Sequence, residues 1–307
     1  MANRISSGTQ PGTRRLELKI GPEQAGVRVG TLLKKHLGLS GTVVRRIKWL
    51  PDGILADGQR VNTRFVPQEG QILSVRLSDP ERRSGILPVP GPLDIVYEDE
   101  DVIVLNKAPG VPVHPGPGHF NDTLGNFLLN YYDRSGAEGD FHPIHRLDRG
   151  TSGLMVVARH PYAQEVLKQQ LHTLAFCRTY LAVCEGTPSP ASGLIDAPLG
   201  PKDGSLISQT VRPDGRAART RYTVLESQCG RSLLRLELDT GRTHQIRVHM
   251  AYLGHPLTGD FLYGTEAPVL IGRPALHSHR LSFCHPITKQ RLSFCSGLPE
   301  DMERLLH

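Results

Sequence analysis

The segment with the clearest chemical potential is His145-Arg146-Leu147-Asp148-Arg149-Gly150-Thr151-Ser152-Gly153-Leu154. A single carboxylate, Asp148, stands between Arg146 and Arg149, and adjacent cations favour its ionised form. The chain then turns apolar from Leu154 to Ala158, so the spacing predicts a loop that delivers Asp148 to the edge of a strand. An ionised aspartate held there suits nucleophilic or general-base work. Taken by itself, the segment fits a surface ion pair more readily. A second segment, Gly241 to Met250, alternates so that Thr243, Gln245 and Arg247 share one side of a predicted strand. That row of donors suits an anion or a base edge, although the polar side of a half-buried strand is the plainer reading. Tyr180 opens an apolar run to Val183 and, from the residues alone, reads as a core aromatic.

Two other chemistries have partial support. His142, His145, His244, His249, His277 and His279 are enough imidazoles for a metal-dependent nuclease, but no H-E-x-x-H or other compact ligand spacing is present. The runs Val104 to Lys107, His145 to Asp148 and Asp260 to Leu262 imitate the ordered motifs of a phosphotransferase. No glycine-rich loop precedes Lys107, no Asn follows Asp148 at the metal-binding spacing, and Leu262 stands where the last motif needs Gly.

The elements that must position these residues fall into two expected units. The chain has 307 residues, about twice the roughly 150 of a typical domain. Residues 80–92, with Pro80, Pro88, Pro90 and Pro92, have the composition of an exposed linker, across which few contacts are expected. In the first unit, residues 14–79, Val29, Leu32, Leu33 and Leu37 fall at helical spacing, and Ser40 can cap a second helix faced by Val43, Val44 and Ile47. Arg45, Arg46 and Lys48 point away from that face. A hairpin around Asp57-Gly58 and a strand from Gln71 to Leu77 follow, giving two helices and then a small sheet. The second unit, residues 93–299, opens with two strands around the acidic turn of Asp99 to Asp101. Helices at Thr123 to Tyr131 and Ala163 to Leu171 and many short strands follow, an α+β pattern with a mixed, largely antiparallel sheet flanked by helices.

Charge is unevenly divided between these units. Residues 1–79 carry 13 Lys and Arg against 6 Asp and Glu, a net of +7, whereas the remainder carries 23 against 24. Concentrated positive charge attracts polyanions. No apolar run reaches the roughly 18 residues of a membrane span, and the leader Met1 to Thr13 is polar, so a cytoplasmic protein is expected. The five cysteines show no C-x-x-C spacing, consistent with reduced thiols.

Taken together, the two chemical segments resemble the signature motifs of the RluA family of RNA pseudouridine synthases. H-R-L-D-x-x-T-S-G-L is matched from His145 to Leu154, and G-R-T-H-Q-I-R-V-H from Gly241 to His249. Weaker motifs match in order: Val104 to Lys107 with Pro109-Gly110, His114 to Gly116, Arg178 to Tyr180, Gly254 to Pro256 with Gly259-Asp260, and Leu276-His277. The likeness spans residues 93 to 299. The first unit resembles a small RNA-binding module first recognised in a ribosomal small-subunit protein, which presents a basic helix to structured RNA and is a common attachment in the same family.

The resemblance implies that Asp148 is the essential catalytic aspartate and that Arg146 enters the RNA stack to hold the target nucleotide out. It implies that Tyr180 packs on the uracil and is a candidate for removing the proton from C5 of the base, and that Arg247 pairs with the catalytic carboxylate. Arg178 replaces the family's usual Lys, and its role stays open because the donor geometry differs. Isomerising uridine breaks and remakes one glycosidic bond without redox change or group transfer, so no cofactor and no metal are expected. Extruding the base costs a few kcal/mol, and the protein must supply substitute stacking and hydrogen bonds. The expected partner is structured RNA, large-subunit ribosomal RNA first and transfer RNA second, bound by a monomer with Arg45, Arg46 and Lys48 of the basic helix in contact. A ribosome-assembly factor with a vestigial synthase domain is the non-enzymatic alternative.

Overall fold

The computed structural model describes residues 13–78, 81–171 and 173–307. The polar leader before residue 13 and positions 79 and 80, the expected end of the first unit and start of the linker, lie outside the described residues. The first unit runs β1 (Arg15–Lys19), α1 (Val29–Lys35), α2 (Gly41–Ile47), β2 (Ile54–Ala56), β3 (Gln59–Arg60) and β4 (Ile72–Arg76). Ser40 caps α2 by accepting a hydrogen bond from the Val43 amide at 3.2 Å. Asp57 and Gly58 both have left-handed backbone, the requirement of a two-residue hairpin turn between β2 and β3. The sheet order is β1-β4-β2-β3, and Leu16, Leu18, Leu73 and Val75 pack with the apolar faces of both helices. Strand β1, absent from the sequence reading, is the partner of β4. Its five residues, Arg-Leu-Glu-Leu-Lys, are too short and too charged to stand out, and only pairing fixes them.

The second unit continues with β5 (Ile95–Glu98), β6 (Val102–Lys107), α3 (Leu124–Ser135), β7 (His142–Pro143), β8 (Ser152–Ala158), α4 (Pro161–Gln170), β9 (Cys177–Glu185), β10 (Ser192–Asp196), β11 (Leu199–Pro201) and β12 (Gln209–Val211). It ends with β13 (Arg219–Gln228), β14 (Arg231–Leu238), α5 (Gln245–Tyr252), β15 (Leu276–Cys284), β16 (Arg291–Cys295) and α6 (Glu300–Glu303). A long sheet of order β10-β13-β14-β9-β15-β8-β6-β5 forms its spine. Its pairs are antiparallel except β15 with β8. The architecture is the α+β arrangement expected, with the main core packed around Leu105, Met155, Ala182 and Leu236.

Contacts between the units are stronger than the Pro-rich linker suggests. Arg14 reaches across to Asp101 with two hydrogen bonds of 2.9 Å, both side chains buried. Arg76 and Ser78 each donate to Glu138 at 2.6 Å. Tyr162 of α4 enters the first unit's core and donates to the Leu37 carbonyl at 3.0 Å. The linker itself is strapped down, Arg82 pairing with Asp133 and the amides of Arg83 and Ser84 donating to Asp140. Proline content reports a chain that cannot join a sheet, and says nothing about what docks beside it.

Candidate active site

Sheet order brings the chemical segments together. β8 and β9 flank β15, and Ser278 of β15 stands opposite Gly153 on one side and Tyr180 on the other. Gly153 has φ of +106°, and a Cβ there would lie 2.4 Å from the Ser278 carbonyl oxygen, so only glycine lets the two strands approach. The Asp148 loop, the first half of β9, the end of β14 and the start of α5 therefore share one cleft of about 880 Å³.

Asp148 is held by its backbone. On either side, buried Leu147 and buried Thr151 anchor the loop, and the Thr151 amide donates to the Asp148 carbonyl at 3.0 Å. Lys107, also buried, donates to the carbonyls of Ala108, Val111 and Arg149 at 2.8, 2.9 and 3.1 Å, tying the end of β6 to this loop. Burial brings the Lys107 amine down to about 7 while nearby Asp148 opposes the shift. Three carbonyl acceptors match the three N–H bonds of the ammonium form. The Asp148 side chain is 29% exposed to the cleft and accepts no hydrogen bond among the described residues.

The charges around Asp148 differ from those its neighbours in sequence suggest. Arg146 is exposed on the cleft wall, and Arg149 turns away to the Gly110 carbonyl at 3.2 Å. Residues 148–151 form a turn, closed by the Thr151 amide on the Asp148 carbonyl, which carries Arg149 to another side of the loop. The nearest cation is Arg247, whose Nη1 lies 3.7 Å from Oδ2 of Asp148. Its principal partner is another carboxylate. Nε and Nη2 of Arg247 donate to both oxygens of Asp260 at 2.7 Å, with Arg247 3% and Asp260 0% exposed. Burial opposes this guanidinium's charge, and the hydrogen bonds and charge of Asp260 outweigh it to raise its pKa. The rings of Tyr263 and Phe261 pack over the same guanidinium, at 5.1 and 5.7 Å.

Arg247 does not sit on a strand. Residues 245–252 form helix α5, which corrects the alternating reading of Thr243, Gln245 and Arg247. Short apolar runs with β-branched residues such as Ile246 and Val248 are ambiguous in period. The preceding loop decides the outcome. Gln245 accepts from the Arg242 amide and the Thr240 hydroxyl and donates to the Arg219 carbonyl, fixing the first turn, while Arg247 emerges on another side toward Asp260. His244, just before the helix, adopts left-handed backbone with φ of +56°.

Tyr180 on β9 is buried, as the core-aromatic reading expects, and also lines the cleft. Burial is the main cause that pushes its phenol pKa up, with Arg178 opposing. Arg178 lines the same cleft, its guanidinium 5.8 Å from the Phe176 ring. His145 is fully desolvated, which takes its imidazole down to about 3 with help from Arg178. Arg45 on α2 is exposed, with Arg46 and Lys48 half-buried, and none of the three lines the cleft. Of the histidines weighed as metal ligands, none belongs to a convergent trio. Among the described residues the one such group is Asp99, Asp101 and His285, where Arg14 already satisfies Asp101. Lys107, Asp260 and Tyr263 also stand around Asp148 and Arg247, as does His244, which the sequence offers only as a metal-ligand candidate. Lys107 and Asp260 lay in motifs already noticed, and a buried acid is the signal that would have linked Asp260 to Arg247.

The site is thus a loop-borne aspartate beside a buried arginine, in a cleft on an α+β sheet. Residues 101–252 match the family model described as RNA pseudouridylate synthase. The chain is 41% identical over 271 residues to the uncharacterized RNA pseudouridine synthase YjbO of Bacillus subtilis, covering 88% of this chain and 95% of that one. It is 40% identical over 271 residues to the ribosomal large subunit pseudouridine synthase D of Vibrio cholerae, covering 83% of each. Among solved structures, the human RNA pseudouridylate synthase domain containing 1 matches with a TM-score of 0.56 at 27% identity, covering 68% of this chain and 85% of that one. The chain belongs to the RluA-type family of RNA pseudouridine synthases and is an isomerase of that class.

Proposed function

We propose that this enzyme converts uridines of large-subunit ribosomal RNA to pseudouridine, with Asp148 as the reacting carboxylate. The observation that carries this reading is the placement of Asp148. It is the acid partly exposed in the cleft beside Tyr180 and Arg247, held by backbone anchors, with the nearest cation 3.7 Å from its side chain. Likeness to a large-subunit synthase over 83% of the chain favours that RNA over transfer RNA. In this reading Arg146, exposed on the cleft wall, fills the space left by the extruded nucleotide, and Tyr180 packs against the uracil. Asp148 promotes cleavage of the bond from C1′ of the ribose to N1 of the base. The uracil turns within the cleft and rejoins through C5, whose proton must then leave. Tyr180 is the candidate base for that proton once its own has left, which burial resists, and N1, freed from the ribose, gains a proton, so that none is consumed overall.

The first unit acts as an RNA-binding module of the ribosomal small-subunit type, presenting Arg45, Arg46 and Lys48 of α2 and its C-terminal end, and the enzyme works as a monomer. Positive charge supports the module, since residues 1–79 carry a net +7. The test is incubation of the pure protein with unmodified large-subunit ribosomal RNA and with unmodified transfer RNA, followed by pseudouridine mapping. Asp148→Asn, which keeps size and removes charge, should form no product while binding RNA within about threefold of wild type, because phosphate contacts dominate affinity. Turnover by that variant would refute the assignment of Asp148, and product on transfer RNA alone would refute the substrate.

A further inference from the structure

Among the described residues, the non-glycine positions with left-handed backbone are Asp57, Cys229, His244 and Lys289. Asp57, Cys229 and Lys289 occupy turns between paired strands. His244 alone lines the cleft, and strained backbone kept at such a place signals a side chain held for a purpose. Its Nδ1 lies 2.8 Å from the Tyr263 hydroxyl, which also accepts the Gln209 amide hydrogen at 2.8 Å. The phenol has one hydrogen to donate, and Nδ1 is the acceptor within reach. Burial, the main cause, lowers the pKa of His244, aided by Arg247 and opposed by Asp148 and Asp260. The neutral ring then carries its hydrogen on Nε2.

That Nε2 faces Oδ2 of Asp148 at 4.0 Å, and Nη1 of Arg247 faces the same oxygen at 3.7 Å. Oδ2 is thus the Asp148 oxygen that both donors approach. We propose that His244 is a positioning residue whose Nε2–H, with Arg247, fixes Oδ2 of Asp148 and so presents Oδ1 to the ribose or base of the substrate nucleotide. The inference rests on Asp148 being the reacting carboxylate. Both distances exceed a hydrogen bond, and both close through a small movement of a side chain that is free to make it. Catalytic hydrogen bonds commonly tighten only when substrate is bound. Tyr263 acts one step further out, fixing the tautomer.

The experiment uses the full chain and unmodified large-subunit ribosomal RNA, measuring dissociation constant and single-turnover rate at saturating RNA. His244→Ala should slow the rate by about tenfold to a hundredfold, the scale of one hydrogen bond to a charged group, with affinity within about threefold. His244→Gln, which can keep an N–H near the Nε2 position, should recover most of that loss. Tyr263→Phe leaves His244 in place and should slow the rate in the same direction. The imidazole nitrogen chemical shifts of wild-type protein, assigned by difference from His244→Gln, give a readout independent of activity: Nε2 should carry the hydrogen. The reversed tautomer, or an active wild type unaffected by His244→Ala, would overturn the positioning role alone. Equal loss in the Ala and Gln variants would also overturn it, by showing that more than a donor is needed. A wild-type chain that forms no pseudouridine overturns the functional reading first.

Discussion

Replacing Arg247 with Met tests whether the Asp260 pair is the keystone of the site. Methionine keeps much of the side-chain volume and removes the charge. Asp260 would stay at 0% exposure with only the amides of Leu262 and Tyr263, at 3.0 and 3.2 Å, as donors. Removing one partner of a buried pair costs about 3 to 5 kcal/mol, and those two amides place the expected loss near the lower figure, about 3 kcal/mol. At roughly 2 to 4 °C per kcal/mol for a chain of this size class, the melting temperature should fall by about 6 to 12 °C. Calorimetry or denaturant unfolding measures this. A double variant, Arg247→Met with Asp260→Asn, removes the stranded charge and should regain about half of the loss, since an amide is far cheaper to bury than a carboxylate. The single-turnover rate should stay low in both, because the cation 3.7 Å from Asp148 is gone in both. A single variant within about 1 kcal/mol of wild type, or a double variant no more stable than the single, would refute the reasoning.

Three further outcomes are expected. Arg14→Ala should lower stability by about 1 to 3 kcal/mol, because Asp101 keeps His160 at 2.9 Å but loses two hydrogen bonds from the guanidinium; the rate at saturating RNA should be unchanged, and full stability would show that the units are not braced there. Stability should fall on acidification from about pH 6.5, the unfolded histidine value, down to about 3: burial depresses the folded pKa of His145 and also that of His160, so the unfolded chain takes up protons first, and a melting temperature flat across that range would contradict this. Changing Arg45, Arg46 and Lys48 together to Gln should weaken RNA binding and reduce the salt slope by up to about 2 to 2.7, at roughly 0.7 to 0.9 per phosphate contact, and an unaltered slope would take α2 out of the interface.

Helices and caps were legible because their signals are local. Ser40, the apolar spacing of Val43, Val44 and Ile47, and the Asp57-Gly58 turn each specify geometry within a few residues. The cleft was legible only as motifs, since Asp148 and Tyr180 meet through sheet order, with β15 lying between β8 and β9 although it follows both by about a hundred residues. Alternation failed at Arg247 because the structure of 240–252 is decided by Gln245 pinning its own loop, a side-chain event that hydrophobic period does not encode. The braced interface was hidden for a similar reason. Arg14 and Asp101 are unremarkable in sequence and become partners only after both units fold.

The use of two carboxylates around one arginine explains how Asp148 can lie beside a guanidinium and still stay open to the cleft. A guanidinium that clasped Asp148 with its fork would engage both oxygens and hold them in fixed hydrogen bonds. Here the fork is given to Asp260, which is fully buried and cannot react with anything in the cleft. One nitrogen remains, and at 3.7 Å it biases Asp148 electrostatically without saturating it. Tyr263 packs over the same guanidinium and hydrogen-bonds His244, so the residues that face Oδ2 are fixed by a common support behind the cleft. Lys107, on the strand paired with β8, holds the carbonyl of Arg149 next to Asp148. The parts that water does not reach, Arg247 and Asp260, are thus the ones locked in paired hydrogen bonds, whereas the Asp148 carboxylate is left partly exposed in the cleft.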